Sequence, residues 1–296
     1  MIYFVILILL ILIAIFCYLQ NNLIDITEYN IESEKIKNEM TLIQLSDMHS
    51  KPFRKAVEKV KEIKPDLILI TGDYINDRCK NKDKMLEIAK ELVSIAPVAY
   101  ITGNHERRLD NFEELMNELK EAGFTVLLNE ICNKTIKENE ISVLGLDENQ
   151  ADFEDYRARK NGTFVYKDMK PYFDELSKQN GFKIVLSHFP ENFEEVKENN
   201  YSQYDFDIQL SGHAHGGQFI LPFIGPVFSP GQGVFPKYAR GSFGERPKLI
   251  ISRGLGNAEF PLRLFNHPEI NVIRLKHKKT AIKKLPFIFL KIFLLF

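Results

Sequence analysis

Two hydrophobic regimes divide the chain. Residues 2–19 are all apolar, and no charged side chain occurs before Asp25. A helix rises about 1.5 Å per residue, so about 20 such residues cross the hydrocarbon core of a bilayer. The run opens Met1-Ile2-Tyr3 with no basic residue and closes Phe16-Cys17-Tyr18 with no small-x-small site. It reads as an uncleaved transmembrane anchor over 1–22, not as a secretory signal or a lipoprotein box. Beyond it the apolar runs shorten and alternate with amphipathic stretches. Residues 41–45, 66–70, 98–101, 182–186 and 206–210 read as strands buried on both faces. Residues 51–64, 84–95 and 112–122 have helical spacing, and Pro65 ends the first of them.

The remaining stretches are less regular. Residues 124–128, 133–137 and 141–146 predict short strands, 150–160 a mobile loop and 172–178 a helix. The Gly-, Pro- and Phe-rich stretch 219–244 is too irregular for regular elements and suits one wall of a cleft. Strands at 248–252 and 270–275 close the domain. This gives a transmembrane anchor (1–22), a polar linker (23–40), an α/β domain (41–276) and a basic, then apolar, tail (277–296). The tail carries Lys276, Lys278, Lys279, Lys283 and Lys284 before an apolar end too short to span. It reads as an interfacial anchor with lysines on anionic headgroups, or as a disordered tail packing on the domain.

Composition narrows the function. At 296 residues, 45% hydrophobic and 27% charged, the chain fits one α/β domain plus an attachment segment. A net charge of −1 lacks the basic footprint of a nucleic-acid binder. Cys17, Cys79 and Cys132 are odd in number and scattered, which excludes a disulfide framework or a thiolate zinc site. Lys35 and Lys37 follow the span, which leans towards a cytoplasmic domain, whereas a short N-terminus kept inside gives the opposite topology. Both topologies stay open.

The candidate chemistry gathers at strand ends. Ser211-Gly212-His213-Ala214-His215-Gly216-Gly217-Gln218 sets two imidazoles one residue apart, on one side of an extended chain. The other apolar strands deliver Asp47 and His49, then Asp73, then Asn104 and His105, then His188. Carboxyl ends of strands are where open α/β sheets hold ligands. Nitrogen and oxygen donors without thiolate favour Mn, Fe or Zn. Seven ligands exceed one tetrahedral ion but suit two ions sharing a carboxylate. Two ions roughly 3.5–4 Å apart are a recurring device for displacing a leaving group at phosphorus.

The order Asp47-x-His49, Gly72-Asp73, Gly103-Asn104-His105-Glu106, His188 and Gly212-His213-x-His215 resembles that of the calcineurin-like metallophosphoesterases, over about residues 40–275. The 212–219 block resembles the membrane-attached bacterial branch typified by the YkuE and YaeI proteins. So do Leu221-Pro222-Phe223-Ile224-Gly225-Pro226, Ser252-Arg253-Gly254-Leu255-Gly256 and Phe265-Asn266-His267-Pro268-Glu269. The resemblance implies a four-layer α/β/β/α sandwich of two mixed sheets flanked by helices. It also implies that Asp47, His49 and His215 hold one divalent metal ion, that Asn104, His188 and His213 hold a second, and that Asp73 bridges them. His105 would sit beside the leaving group as a general acid, and a hydroxide bridging the metals would attack phosphorus.

The expected function is therefore a membrane-attached, two-metal hydrolase of a phosphodiester, phosphomonoester or pyrophosphate. The anchors point to membrane lipids as partners and to a phosphorylated small-molecule or lipid-linked substrate such as a UDP-acyl-sugar. The alternative is a catalytically silent membrane scaffold of the same fold, against which stands the presence of every ligand. Arg107, Arg108 and Arg253 are either phosphate contacts or surface residues.

Overall fold

Continuous apolar strands need cover on both faces, and this architecture supplies it. The computed structural model describes residues 1–78, 81–150, 153–257 and 260–278. The chain runs from helix α1 (Ile2–Asn22) through β1 (Asp25–Ser33), β2 (Met40–Leu45), α2 (Arg54–Ile63), β3 (Leu67–Thr71), α3 (Lys82–Ile95) and β4 (Val98–Ile101). Next come α4 (Phe112–Glu121), β5 (Thr125–Val126), β6 (Glu130–Ile136), β7 (Asn139–Gly145), α5 (Phe153–Asn161) and α6 (Lys170–Ser177). After β8 (Phe182–Leu186) and β9 (Ile208–Ser211) lie four two-residue strands, β10 (Ile220–Leu221), β11 (Gly225–Pro226), β12 (Phe228–Ser229) and β13 (Gly233–Val234). Then β14 (Gly241–Phe243), β15 (Lys248–Ile251) and β16 (Glu269–His277) complete the order.

Two mixed six-stranded sheets result, ordered β1-β16-β2-β3-β4-β5 and β14-β15-β9-β8-β7-β6. Alternate residues of each central strand face opposite layers, as the period of two requires. Leu67 and Leu69 of β3 join Val143, Ile184, Leu210 and Ile250 in the core between the sheets. Ile68 and Ile70 instead pack with Val57, Val60, Ile88, Leu92 and Leu115 of helices α2 to α4. On the far side, Leu144, Val185, Leu249 and Ile251 pack with Phe173 and Leu176 of α6. Helices, sheet, sheet and helix thus form the four expected layers.

Three sequence expectations are corrected. The segment read as a linker, 23–40, carries β1, paired in parallel with β16 from Asp25↔Glu269 to Ser33↔His277. Its alternating Thr27, Tyr29 and Ile31 are half-buried and the residues between them exposed, the pattern of an edge strand. Residues 153–161 of the expected mobile loop form helix α5. The irregular 219–244 stretch holds two small antiparallel hairpins, β10–β11 and β12–β13, and its end, β14, pairs with β15. Of the tail, residues 279–296 lie outside the described residues; the last described residue, Lys278, donates its N–H to Ser33 O at 3.1 Å.

Helix α1 is the one helix among the described residues long and apolar enough to cross a membrane, and none of its apolar window is buried in the protein.

Candidate metal centre

The strands β2, β3, β4, β8 and β9 all run parallel within their sheets, so their carboxyl ends open on one side. Asp47 and His49 follow β2, Asp73 follows β3, Asn104 and His105 follow β4, His188 follows β8, and His213 and His215 follow β9. All eight residues singled out in the sequence are brought together there. Asp47, His49, Asp73, His213 and His215 each adopt a left-handed backbone, with φ between 47° and 65°. Non-glycine residues sustain that conformation at a cost of about 1–3 kcal/mol each only where the surroundings over-determine it, typically at functional sites. Close approach fixes two glycines as well. A Cβ on Gly103 would collide with the Asp73 carboxylate, and one on Gly212 with Ser46 and Asp47.

Three overlapping donor groups follow: Asp47, His49 and His215; His49, Asp73 and His105; and Asp73, His188 and His213, each within 4.8 Å. They share His49 and Asp73, so the site is one elongated centre with two halves. In the first half His49 Nε2 lies 3.1 Å from His215 Nε2, and His215 Nε2 lies 3.4 Å from Asp47 Oδ1. In the second, His188 Nε2 lies 3.3 Å from Asp73 Oδ2 and 3.2 Å from Asn104 Oδ1. Across the halves, His49 Nε2 stands 3.7 Å from Asp73 Oδ2. His213 Nε2 is buried with no hydrogen-bond partner.

Electrostatics match a cation site. Burial pushes His49 down to about 3 and holds His213 and His215 well below their usual range, so these rings are neutral with lone pairs to offer. Burial raises Asp47 to about 6, with Asp73 adding to the effect. Burial pushes Asp73 up too, but the imidazoles of His188, His105 and His49 outweigh it and keep it ionised. His188 is raised to about 10 because Asp73 and Asp47 outweigh its burial. Its Nδ1 meets Thr71 O at 2.7 Å, which places the proton there and aims Nε2 into the site. The neutral imidazoles of His49, His213 and His215, ionised carboxylates, an amide oxygen and His188, whose Nε2 proton an ion would replace, together fit divalent ions.

Residues not singled out beforehand hold this centre in place. Glu106 is buried, raised to about 7 chiefly by burial, and accepts backbone N–H groups from Asp73 (3.1 Å), Ile75 (2.9 Å) and Gly103 (2.9 Å). It ties the loop after β3 to the loop after β4. Glu148 accepts from His188 N–H at 3.1 Å and from Ser187, Asn192 and Tyr201. Arg263, fully buried, places Nη2 3.5 Å from His215 Nδ1 and also donates to Gly256 O. Asn266 Nδ2 donates to His215 O at 2.7 Å. Glu191 has both carboxylate oxygens buried without partners and is raised to about 7 by burial. A Cβ on Gly231 would collide with Glu191 Oε1 and lie 3.7 Å from His213 Nε2. One signal in the sequence marks Arg263: it interrupts the apolar Pro261-Leu262-x-Leu264.

Two of the arginines left open are structural. Arg107 forks onto Asp147 and stacks over Phe112 at 4.0 Å. Arg253 pairs with Asp25 at 3.0 Å and Glu269 at 2.9 Å, pinning β1 to β16. His105 sits on the open side, its ring edge-on to His49 at 4.6 Å and its Nδ1 3.7 Å from Asp77. Beside it lies a cavity of about 290 Å³ lined by His49, Lys51, Asn76, Asp77, Arg78, His105 and Asn257.

Comparison with known proteins gives the chain relatives. Residues 40–217 match the calcineurin-like phosphoesterase family. The metallophosphoesterase YkuE of Bacillus subtilis is 30% identical over 274 residues, 88% of each chain. A metallophosphoesterase of Aquifex aeolicus is 28% identical over 90% of this chain and 98% of its own. The phosphodiesterase YaeI of Escherichia coli is 29% identical over 79% of this chain and 81% of its own.

Proposed function

The chain belongs to the calcineurin-like phosphoesterase family and is a metal-dependent phosphoesterase, and from that premise we propose that it is a membrane-attached, two-metal hydrolase of a phosphodiester or pyrophosphate bond. The observation that carries the two-metal reading is the run of three donor groups sharing His49 and Asp73. Asp47, His49 and His215 would hold one ion and Asn104, His188 and His213 the other, with Asp73 available to both. Mn, Fe or Zn suits these donors. Two such ions supply Lewis acidity at the phosphoryl oxygens and make a nucleophile of water at neutral pH.

The chain's own residues do the rest. Thr71 O and Glu148 orient His188, and Glu106 keeps Asp73 and Asn104 in register, so the donors need no rearrangement as charge develops. His105, at the mouth of the cavity, donates a proton to the departing oxygen. Lys51 and Arg78 line the same cavity and favour an anionic group there. The relative named a phosphodiesterase supports a diester. Attachment by α1 supports a lipid-linked or amphipathic substrate.

The test uses the full chain in detergent. Metal analysis with turnover of a bis-aryl phosphate in added Mn should give close to two ions per chain and metal-dependent hydrolysis, with Asp73→Asn losing both. A wild-type protein that binds metal at one ion per chain, or hydrolyses nothing when loaded, overturns the proposal. Comparing a UDP-linked acyl sugar with its deacylated form tests the substrate class; equal rates count against a lipid-linked one.

A further inference from the structure

We propose that the face bearing Phe223, Ile224, Phe260 and Phe265 is a second membrane contact, which docks the mouth of the metal centre onto the surface of the bilayer that α1 crosses. This rests on reading α1 as a transmembrane span. Only the last turns of α1 touch the domain. Gln20 Nε2 lies 3.1 Å from His267 Nε2, Asn21 Oδ1 accepts from Arg263 N–H at 3.3 Å, and Asn21 O accepts from Lys51 Nζ at 3.1 Å. Further up, the rings of Phe16 and Phe265 meet at 5.7 Å. Phe16 precedes the end of α1 by six residues, which is about 9 Å along a helix axis. The apolar run ends at Leu19, three residues after Phe16, so Phe265, half exposed, stands level with the last apolar turn of the span.

The apolar surface continues from there. Leu264 bridges Phe219, and Leu264 O accepts from Ile220 N–H at 2.9 Å. The Phe219 ring packs on Phe260 at 5.4 Å. The β10–β11 hairpin then presents Phe223 and Ile224 at its turn, 109% and 61% exposed. Phe223 does so in a left-handed backbone, φ 66°, a strained conformation that buries nothing within the domain. Val234 and Phe235 of the next hairpin are also exposed, and Phe235 N–H donates to Val227 O. A contiguous set of large exposed apolar residues marks an interaction site, and aromatic rings suit the headgroup level of a bilayer. Continuity with the bare flank of α1 selects lipid as the occupant over a protein. Gly231, in the loop of the β12–β13 hairpin, abuts Glu191 and His213. The docked face is thus also the lip of the metal centre, and a phosphate at headgroup depth reaches the ligands without leaving the membrane.

The chain contains no Trp, so single substitutions give unambiguous fluorescence. Phe223→Trp, Phe265→Trp and, within the span, Leu9→Trp are made in the full chain and reconstituted into phosphatidylcholine–phosphatidylglycerol vesicles, with and without brominated acyl chains. The expected result is blue-shifted emission and loss of emission with brominated lipid for all three. Quenching of Leu9→Trp alone, with Phe223→Trp emitting as in water, overturns the docking and leaves the span intact. A blue-shifted Phe223→Trp that brominated lipid does not quench shows a protein on this face and also overturns it. Quenching of none overturns the docking and the span together.

Discussion

The two halves of the metal centre differ in what surrounds their ligands. In the second half His188 is clamped at both ends, its Nδ1 by Thr71 O and its backbone N–H by Glu148, while the Nε2 of His213 is buried and unpartnered. The carboxylates there favour a positive charge: Asp73 and Asp47 hold a proton on His188, whose Nε2 gives it up when an ion enters. In the first half the facing contact is a cation. The Arg263 guanidinium donates towards His215 Nδ1, which steers the ring proton to Nε2, opposite His49 Nε2 at 3.1 Å. An ion entering the first half must displace that proton and tolerate a neighbouring positive charge. Both halves give up a proton to an ion, but in the second half the neighbouring charges are carboxylates that would equally hold a cation, whereas in the first the neighbour is the Arg263 guanidinium. Unequal affinity follows, with the second half filling first.

Calorimetric metal titration of apo protein should accordingly show two phases; a single phase with equal affinities breaks the comparison outright. The largest effect belongs to the residue common to both halves. Asp73→Asn should lower kcat by on the order of 10³-fold, about 4 kcal/mol of barrier, with loss of both titration phases. His105→Ala, which removes no assigned ligand of either half and keeps the backbone N–H that Asp73 accepts, should lower kcat by roughly 10²-fold for a poor leaving group and far less for p-nitrophenolate, with metal content unchanged. Glu148→Gln should weaken the tighter phase about 10- to 100-fold and leave the weaker one in place. Arg263→Met gives the smallest and most discriminating change. It should narrow the gap between the phases by about threefold, if removal of a partly screened charge is worth about 0.7 kcal/mol. An unchanged gap would mean that Arg263 only props the loop.

The ligands were legible because each follows a buried, predominantly apolar strand. Buried strands leave no packing reason for Ser46-Asp47-Met48-His49 or Thr71-Gly72-Asp73 at their ends, so the polar residues there stand out. Helix α1 was legible for the same reason in reverse, an apolar run with nothing polar to interrupt it. The edge strand β1 was not. Asp25-Ile26-Thr27-Glu28 is polar enough to read as linker, and only pairing with β16, some 240 positions away, gives its backbone partners and half-buries Tyr29 and Ile31. Helix α5 lacks an apolar stripe and left no period to detect.

The same distinction separates what the two levels of description determine. Pattern and spacing alone specify a long apolar N-terminal helix, alternating strands and helices, and eight metal-competent residues at strand ends, because these depend on residue type and local period; the division into seven ligands and one acid is what the family resemblance implies. That Arg263 faces one half while Glu148 and Glu191 stand by the other was decided only by the packing of the two sheets. A carboxylate or guanidinium acquires its role from the partners within about 4 Å of it and from the water it has lost. Both are properties of chain segments more than a hundred residues apart, brought together only by folding.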